Sequence, residues 1–253
     1  MFELSQHVAI VTGGSTGLGL GMARGLAKAG ASVAIWARNV ERTEAACQEL
    51  AALGGGTAQG FACDVTDPAS VDAAMTATLA AFGKVDSCFA NAGGAGVRGP
   101  LLALQPDDWR QTMELNYHSV ISTFRVAARH MAECGQGGRL VASSSIAALM
   151  GIPGGAGYSS SKAAVTGLVR ALAIELAPAG ITVNAILPGY IATEMSLDTP
   201  QAFRDAVMRR AASGQIGTLE DMEGIAVYLA SRQSRLMTGQ SIVLDGGHTI
   251  HPM

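Results

Sequence analysis

The chain has little charge of either sign. Only 15% of its 253 residues are charged, and the net charge is −3. Soluble domains usually carry about 25% charged residues, so many of the side chains must lie in a core or between subunits. The excess of Lys and Arg that nucleic-acid binding requires is also missing. We therefore expect no nucleic-acid partner.

Cysteine is scarce as well. The four cysteines are Cys47, Cys63, Cys88 and Cys134, and none belongs to a CxxC pair. Such spacing is typical of reduced thiols in an intracellular protein. No Cys or His pair has the short spacing that zinc prefers, so we predict no metal site. No signal peptide and no apolar run of about 18 residues is visible, so we expect a cytoplasmic protein without a membrane contact.

Short β-branched segments alternate with alanine-rich helical patterns along the whole chain. We predict strands at 7–12, 32–36, 57–62, 86–90, 138–143, 182–187 and 241–244. We predict helices at 18–29, 41–53, 69–82, 107–134, 157–177 and 219–230. Repeated strand–helix units form parallel sheets, and continuous apolar strands are expected when helices cover both faces. The prediction is an α/β doubly wound (Rossmann) fold, with a seven-stranded parallel sheet and helices on both faces.

The length fits one large domain or at most two small ones. Because no linker rich in Pro, Ser or charge divides the chain, we expect a single domain over residues 1–253. The least regular stretch is 189–218, with a predicted helix at 201–212. Ligands of doubly wound folds lie beyond the carboxyl ends of the strands, so this insertion is a candidate lid over a substrate.

A glycine-rich turn joins the first strand to the first helix. It reads Thr12-Gly13-Gly14-Ser15-Thr16-Gly17-Leu18-Gly19. Gly13 allows a sharp turn, Gly17 allows backbone to approach a phosphate, and Gly19 allows the helix to pack against the strand. The N–H groups and dipole of the helix start favour a pyrophosphate. The turn predicts a dinucleotide cofactor, whereas a triphosphate P-loop would need a different spacing and a lysine.

The second strand ends at Ala37-Arg38-Asn39. A cofactor with a free ribose 2′-hydroxyl usually meets an Asp or Glu at this point. A guanidinium instead matches a 2′-phosphate in charge and geometry. We therefore predict NADP(H) in preference to NAD(H).

Ser145, Tyr158 and Lys162 form a pattern typical of acid–base chemistry. Ser145 follows the fifth strand, while Tyr158 and Lys162 are four residues apart on the next helix and so share one face. With only three lysines and four tyrosines in the chain, about 0.05 Tyr-x3-Lys pairs are expected by chance. A neighbouring ammonium stabilises a phenolate. Tyr158 is thus suited to exchange a proton with an alcohol or carbonyl oxygen to which Ser145 hydrogen-bonds.

These residues resemble the motifs of classical short-chain dehydrogenases/reductases over nearly the whole chain. The resemblance also includes Cys63-Asp64-Val65, Asn91-Ala92-Gly93, Asn116 and Pro188-Gly189 through Thr193. It implies a carbonyl reductase or alcohol dehydrogenase that uses NAD(P) and assembles as a homotetramer. It also implies a catalytic set of Asn116, Ser145, Tyr158 and Lys162, in which Asn116 holds the water of a proton relay that runs through Lys162 to Tyr158.

The same resemblance implies the course of the cofactor. Asp64 and Val65 would contact the adenine, and Asn91, Ala92 and Gly93 would line the cleft near the ribose. Lys162 would grip the nicotinamide ribose, and Ile191 and Thr193, after Pro188 and Gly189, would meet the carboxamide. The predicted cofactor set further contains Gly13, Ser15, Thr16, Gly17, Leu18, Gly19, Arg38, Asn39 and Tyr158.

We expect the substrate to be a small or medium carbonyl compound, namely a ketone, sugar or hydroxy acid. Reductases of 3-oxoacyl groups on acyl carrier protein usually carry basic residues just after the two long helices. Residues 131–137 and 177–180 contain none, although Arg204, Arg209 and Arg210 in the candidate lid are basic. Candidate pocket residues are Ala95, Val97, Leu149 to Ile152, Met195 and Leu197.

Three alternatives remain open. The first is a 3-oxoacyl-[acyl-carrier-protein] reductase. The second is a dinucleotide-binding regulator without catalysis, which would not need the intact Ser145, Tyr158 and Lys162. The third is an epimerase or dehydratase on the same fold, because the motifs indicate hydride chemistry but not net redox change.

Overall fold

A computed structural model describes residues 2–194 and 199–250 of the chain. The strands are β1 (Val8–Thr12), β2 (Ser32–Ala37), β3 (Ala58–Ala62), β4 (Ser87–Ala90), β5 (Gly138–Ser143), β6 (Ile181–Pro188) and β7 (Ser241–Leu244). The helices are α1 (Gly17–Lys28), α2 (Val40–Ala51), α3 (Pro68–Phe82), α4 (Pro106–Met113), α5 (Ser119–Cys134), α6 (Ala156–Leu176), α7 (Gln201–Arg210) and α8 (Asp221–Ala230). Every predicted strand and helix is present, with its outer ends shifted by at most two residues.

The strands form one parallel sheet in the order β3-β2-β1-β4-β5-β6-β7. Helices α3, α5 and α6 pack on one face, and α1, α2 and α8 pack on the other. This arrangement confirms the predicted doubly wound fold. The strand order reverses between β1 and β4, so a ligand cleft is expected at the carboxyl ends of these two strands.

The two edge strands are more exposed than the central strands of the sheet. Gln59, Gly60 and Ala62 of β3 are exposed, and Val243 of β7 is 38% exposed. Among residues 2–194 and 199–250, each of these strands pairs with a neighbouring strand on one side only.

The long helix predicted at 107–134 is also interrupted. Between α4 and α5 the residues Glu114–His118 form a π-helical turn, in which Ser119 N donates to Glu114 O. One extra residue in the turn rotates the side chains that follow, and such turns are frequent at functional sites. The turn contains Asn116, whose side chain is fully buried. In the described part of the chain, no helix has the length and hydropathy to cross a bilayer.

Candidate active site

The glycine-rich turn after β1 requires glycine at two of its positions, Gly13 and Gly19. Gly13 has a φ of +63° and donates its N–H to Trp36 O at 2.8 Å. A Cβ on Gly19 would collide with the Gly13 carbonyl oxygen and lie 2.6 Å from Asn91 Nδ2. Close packing of α1 against the turn therefore depends on glycine at position 19.

The start of α1 is open to an anion. Its N-cap, Thr16, makes no side-chain capping hydrogen bond, and the first turn contains no acidic residue. A Cβ on Gly17 would meet only Thr193, at 3.8 Å, so the space above this backbone is free. Ser15 and Leu18 are half-buried in the same turn. Uncapped N–H groups and open space beside glycine fit the pyrophosphate of a dinucleotide.

Asn91 ties the ends of three neighbouring strands together. Its backbone N–H and that of Ala92 both donate to Thr12 Oγ1 at 2.9 Å. Its side-chain Nδ2 donates to Thr12 O at 3.1 Å, and its Oδ1 accepts from Ser143 Oγ at 2.9 Å. The side chain thus links β1, β4 and β5 at the cleft, and Ala92 and Gly93 continue along its floor.

The residues predicted for the adenosine end lie together at the carboxyl ends of β2 and β3. Arg38 is exposed, and Asn39 caps α2 by accepting from Arg42 N at 2.8 Å. The Asp64 carboxylate accepts from Thr66 N at 3.0 Å and from Thr66 Oγ1 at 2.8 Å. These hydrogen bonds, aided by the nearby charge of Arg38, hold the pKa of Asp64 below its ordinary value. The next residue, Val65, is buried.

Lys162 of α6 is a buried cation fixed to the end of β5. Its Nζ donates to Ser143 O at 2.9 Å, and Ser144 Oγ donates to Lys162 O at 2.8 Å. The Nζ lies 5.8 Å from the centroid of the Tyr158 ring, one turn earlier on the helix. Burial lowers the pKa of Lys162 to about 8. The structure thus brings the two residues together as the spacing predicts.

Asn116 reaches the same point from the π-helical turn. Its Nδ2 donates to Gly94 O at 2.9 Å, and its Oδ1 accepts from Gly94 N at 3.0 Å. A Cβ on Gly93 would lie 2.9 Å from Asn116 Oδ1 and 3.4 Å from Lys162 Nζ. The amide and the ammonium therefore meet at Gly93. Only a residue without a side chain fits between them.

Ser145 lies at the carboxyl end of β5, on the same edge of the sheet. It is half-buried, and its Oγ accepts from Ala147 N at 3.1 Å, which opens a short 3₁₀ turn at Ile146–Ala148. As the acceptor in this bond, the hydroxyl keeps its own proton for another acceptor. Ser145 is thus suited to hydrogen-bond a substrate oxygen.

The segment after β6 crosses toward the glycine-rich turn. Pro188 is buried, and Gly189 N donates to Leu244 O at 2.9 Å. Ile191 forms a parallel bridge with Gly217, and Thr193 lies beside Gly17.

The candidate pocket residues lie on the loops that follow β4 and β5. Gly99 N donates to Gly154 O at 2.9 Å, which joins these two loops. Ala95 is half-buried, while Val97 is 39% and Leu149 is 58% exposed. Met195 and Leu197 lie outside the described residues.

Sequence reasoning missed the hydroxyl groups that hold the site together. Thr12, Ser143 and Ser144 each stand at the end of a buried strand and bind backbone or amide groups of the next element. The available signal was a Ser or Thr at the last position of an otherwise apolar strand, where a buried hydroxyl needs a partner. No cluster of three or more potential metal ligands occurs among residues 2–194 and 199–250.

Comparison with known proteins gives a consistent result. The family described as enoyl-(acyl carrier protein) reductase matches residues 13–249. Gluconate 5-dehydrogenase of Gluconobacter oxydans (strain 621H) is 36% identical over 252 residues, covering 99% of this chain and 97% of that protein. The 3-oxoacyl-[acyl-carrier-protein] reductase of Chlamydia muridarum (strain MoPn / Nigg) is 34% identical, covering 96% of this chain and 98% of that protein.

A crystal structure of a short-chain type dehydrogenase/reductase from Mycobacterium marinum superposes with a TM-score of 0.92. The two chains are 36% identical, and the match covers 98% of each. Proteins of this family bind NAD(P). The chain belongs to the short-chain dehydrogenase/reductase family and is an oxidoreductase that acts on CH–OH groups and the corresponding carbonyls.

Proposed function

We propose that the chain interconverts a carbonyl compound and its secondary alcohol with NADP(H), and that Tyr158 is the acid–base group. The observation that carries this proposal is the arrangement at Gly93, where the Lys162 ammonium and the Asn116 amide come together. The Lys162 Nζ lies 5.8 Å from the centroid of the Tyr158 ring. The nicotinamide, when bound, supplies or accepts the hydride. The acid–base and positioning work falls to the residues of the chain.

Each residue has a distinct task in this proposal. In reduction, Tyr158 donates its proton to the carbonyl oxygen and Ser145 hydrogen-bonds the same oxygen. The buried charge of Lys162 stabilises the phenolate that remains. Lys162 gives one of its three N–H bonds to Ser143 O, which leaves two for a ribose hydroxyl and a relay water. Asn116 uses both ends of its amide to hold Gly94, and so keeps Gly93 against the ammonium.

A panel of ketones, sugars, hydroxy acids and their alcohols, assayed by coenzyme absorbance, tests this function. Tyr158→Phe keeps the ring but removes the proton, so we expect turnover to fall by about 10²- to 10⁴-fold, the usual contribution of an acid–base group. Tyr228→Phe is the matched control, because Tyr228 packs on Phe2 from α8, outside the cleft. Near-normal turnover in Tyr158→Phe would contradict the assignment and revive a non-catalytic dinucleotide-binding role.

We infer that the cofactor extends from Arg38 to Thr193. The pyrophosphate would bind residues 13–19, and the 2′-phosphate would bind Arg38 beside Asn39. The adenine would contact Asp64 and Val65. The remaining contacts would come from Asn91, Ala92, Gly93, Tyr158, Lys162, Pro188, Gly189, Ile191 and Thr193. The exposed guanidinium of Arg38, which forms no ion pair with another described residue, supports NADP(H) over NAD(H).

We propose a free carbonyl compound, with a 3-oxoacyl thioester on acyl carrier protein as the second candidate. The Chlamydia muridarum relative favours the second candidate, because its name specifies that substrate. The absence of basic residues at 131–137 and 177–180 favours the first, since an acidic carrier protein is recognised by basic groups. Higher kcat/KM for a simple ketone than for the acyl-carrier thioester would support the first candidate, and the reverse would overturn it.

We further propose that the 189–218 segment covers the substrate as part of a single domain. The Tyr190 ring packs edge-on against Phe203 of α7, with centroids 5.7 Å apart. The bridge from Ile191 to Gly217 closes the base of the segment. These contacts support a cover that begins at the carboxyl end of β6 and passes beside Gly17 of the glycine-rich turn.

The proposed assembly is a homotetramer, located in the cytoplasm. Ile174 on α6 is 79% exposed and Leu236 is 88% exposed, and no strand of the described residues pairs with the outer side of β7. Burial of such apolar surface against other copies would stabilise an oligomer. Sedimentation should give a tetramer, and a stable monomer at micromolar concentration would contradict this. The four free cysteines support a reducing compartment.

A further inference from the structure

The turn that follows β7 is closed by hydrogen bonds to a carboxylate and has no role in the proposed acid–base chemistry. The carboxylate of Asp245 accepts from Gly247 N at 2.8 Å and from Thr249 N at 2.8 Å. Burial alone raises the pKa of Asp245, but the hydrogen bonds from Thr249 and Gly247 outweigh it, and the pKa lies below the ordinary value. The ionised carboxylate therefore closes residues 245–249 into a compact turn. We call it the Asp245 turn.

One side of the Asp245 turn packs on the residues that follow α7. Ser213 N donates to Gly246 O at 2.9 Å. A Cβ on Gly246 would collide with Ser213 Oγ, and one on Gly247 would lie 2.8 Å from Ala212 Cβ. Both glycines have positive φ, +62° and +83°, which other residues adopt only with strain. The end of α7 is thus held backbone to backbone by the turn.

The other side of the Asp245 turn contacts the segment that leaves β6. A Cβ on Gly189 would lie 2.7 Å from Asp245 Cβ. Gly189 is the first residue after β6, and the segment continues to Ile191 and Thr193. Asp245 therefore touches the beginning of the 189–218 segment directly, and it holds the end of α7 through the turn that it closes.

We propose that Asp245 is a positioning residue that sets the place of α7 over the carbonyl substrate. This inference rests on the proposed role of the 189–218 segment as the substrate cover. If the Asp245 turn is loosened, the end of α7 loses the contacts that residues 212 and 213 make with the turn, while the Phe203–Tyr190 contact and the Ile191–Gly217 bridge do not involve the turn. The start of the glycine-rich turn is held by Asn91, whose Nδ2 donates to Thr12 O at 3.1 Å.

Asp245→Ala tests the proposal by separating substrate binding from cofactor binding. We expect KM for the carbonyl substrate to rise by about tenfold, equivalent to about 1.4 kcal/mol of binding free energy, because a displaced α7 would lose contacts with the substrate. The Kd of adenosine 2′,5′-bisphosphate, which lacks the nicotinamide half of the cofactor, should change by less than about twofold, because the proposed adenosine contacts lie apart from the substitution. Asp245→Asn keeps one acceptor oxygen, so its KM should rise less than that of Asp245→Ala.

Asp86→Ala is the matched control. The Asp86 carboxylate also accepts a backbone hydrogen bond, from Val8 N at 2.7 Å. Asp86 comes directly before β4, so it lies at the amino-terminal end of that strand, away from the cleft at the carboxyl ends. This variant should lower the melting temperature and leave KM unchanged. Equal effects of the two substitutions on melting temperature, with KM unchanged in both, would overturn the proposal.

Hydrogen exchange provides a readout that does not need turnover. The amides of residues 201–210 should exchange faster in Asp245→Ala than in the wild type or in Asp86→Ala. If the wild type acts on no carbonyl compound, the proposed function fails, and this exchange experiment still decides whether Asp245 holds α7. If Asp245→Ala does not fold, Asp245→Asn replaces it. Unchanged exchange in α7 would overturn the proposal.

Discussion

At the scale of single residues, the burial of the Lys162 ammonium lowers the stability of the fold, and the proposed acid–base role accounts for its presence. Its side chain is buried, and its pKa is lowered to about 8 from the model-compound value of 10.5. Below pH 8 the folded protein must therefore keep a charge in a poorly solvated place. An apolar side chain of similar length would avoid that cost. A buried ammonium beside a tyrosine ring is reasonable only if the charge is used.

The pH dependence of stability should show this cost. Between pH 8 and 10.5 the unfolded chain holds the Lys162 proton and the folded chain does not, so the free energy of unfolding rises with pH in this window. Relative to Lys162→Met, the wild type should gain about 2 kcal/mol between pH 7.5 and 9.5, from a shift of 1.36 kcal/mol per pKa unit. Urea unfolding at the two pH values measures the difference.

Lys28→Met is the control for this experiment, because Lys28 is half-exposed and pairs with Glu223 at 2.8 Å. Its difference from the wild type should stay nearly constant over the same pH range. A constant difference for Lys162→Met as well would show that Lys162 is not a desolvated cation.

Arg38 decides the proposed cofactor preference. Arg38→Ala removes the guanidinium that would face the 2′-phosphate, and a hydrogen bond to a charged group contributes about 1.5–3 kcal/mol. We expect kcat/KM for NADP(H) to fall by about 10- to 100-fold, with little change for NAD(H). Arg235→Ala is the control, since Arg235 is exposed after α8 and far from the end of β2 in sequence. A wild type that strongly prefers NAD(H) would contradict the assignment.

At the scale of elements, the contact between β1, the glycine-rich turn and α1 should be sensitive to added volume. A methyl group at position 19 collides with the Gly13 carbonyl and with Asn91 Nδ2. Gly19→Ala should therefore displace the start of α1 and abolish NADPH binding, as measured by coenzyme fluorescence. Gly224→Ala is the control, because Gly224 lies inside α8 with open space around it. Alanine there should stabilise the fold by about 0.5–1 kcal/mol.

Most elements could be predicted from the sequence, because their signals are local. The apolar β1 followed by glycines predicts a strand and turn without any knowledge of neighbouring strands. The π-helical turn at Glu114–His118 could not be predicted in this way. It depends on the buried pairing of Asn116 with Gly94, a residue 22 positions earlier on another strand end. The exposure of β3 likewise depends on its edge position in the sheet.

At the scale of the whole molecule, the free energy of unfolding in mild acid should depend on His7, which lies at the amino-terminal end of β1. His7 Nε2 lies 2.9 Å from Ser87 Oγ. Burial lowers the pKa of His7 to about 4, and the charge of Asp86 only partly opposes this. Between pH 6.5 and 4 the unfolded chain binds the His7 proton and the folded chain does not. The free energy of unfolding should therefore fall as the pH falls through this window.

The expected loss from His7 is about 2 kcal/mol between pH 7.5 and 5, by the same linkage. His7→Gln removes the titration but keeps a polar side chain, so its stability should depend less on pH over this range. Urea unfolding of both proteins at the two pH values measures the effect. Equal pH dependence in the two proteins would show that His7 titrates normally in the fold.

The candidate site was predictable as a set of residues but not as an assembly. The Tyr-x3-Lys spacing on one helix already places Tyr158 and Lys162 on a common face. The meeting of Lys162 with Asn116 at Gly93 requires β4, β5 and the π-helical turn to converge, and no local pattern encodes this convergence. The proposed roles of these residues remain predictions until the variants above are measured.

The sequence by itself determined the order and type of the elements, the doubly wound sheet and the family motifs, because periodicity and turn residues act over a few neighbouring positions. Only the tertiary structure decided which polar groups meet: Asn91 with Ser143, Lys162 with the end of β5, and Asp245 beside Gly189. These contacts join residues that are far apart in the chain. Buried polar groups must find partners in space, and those partners are set by how the whole sheet is assembled.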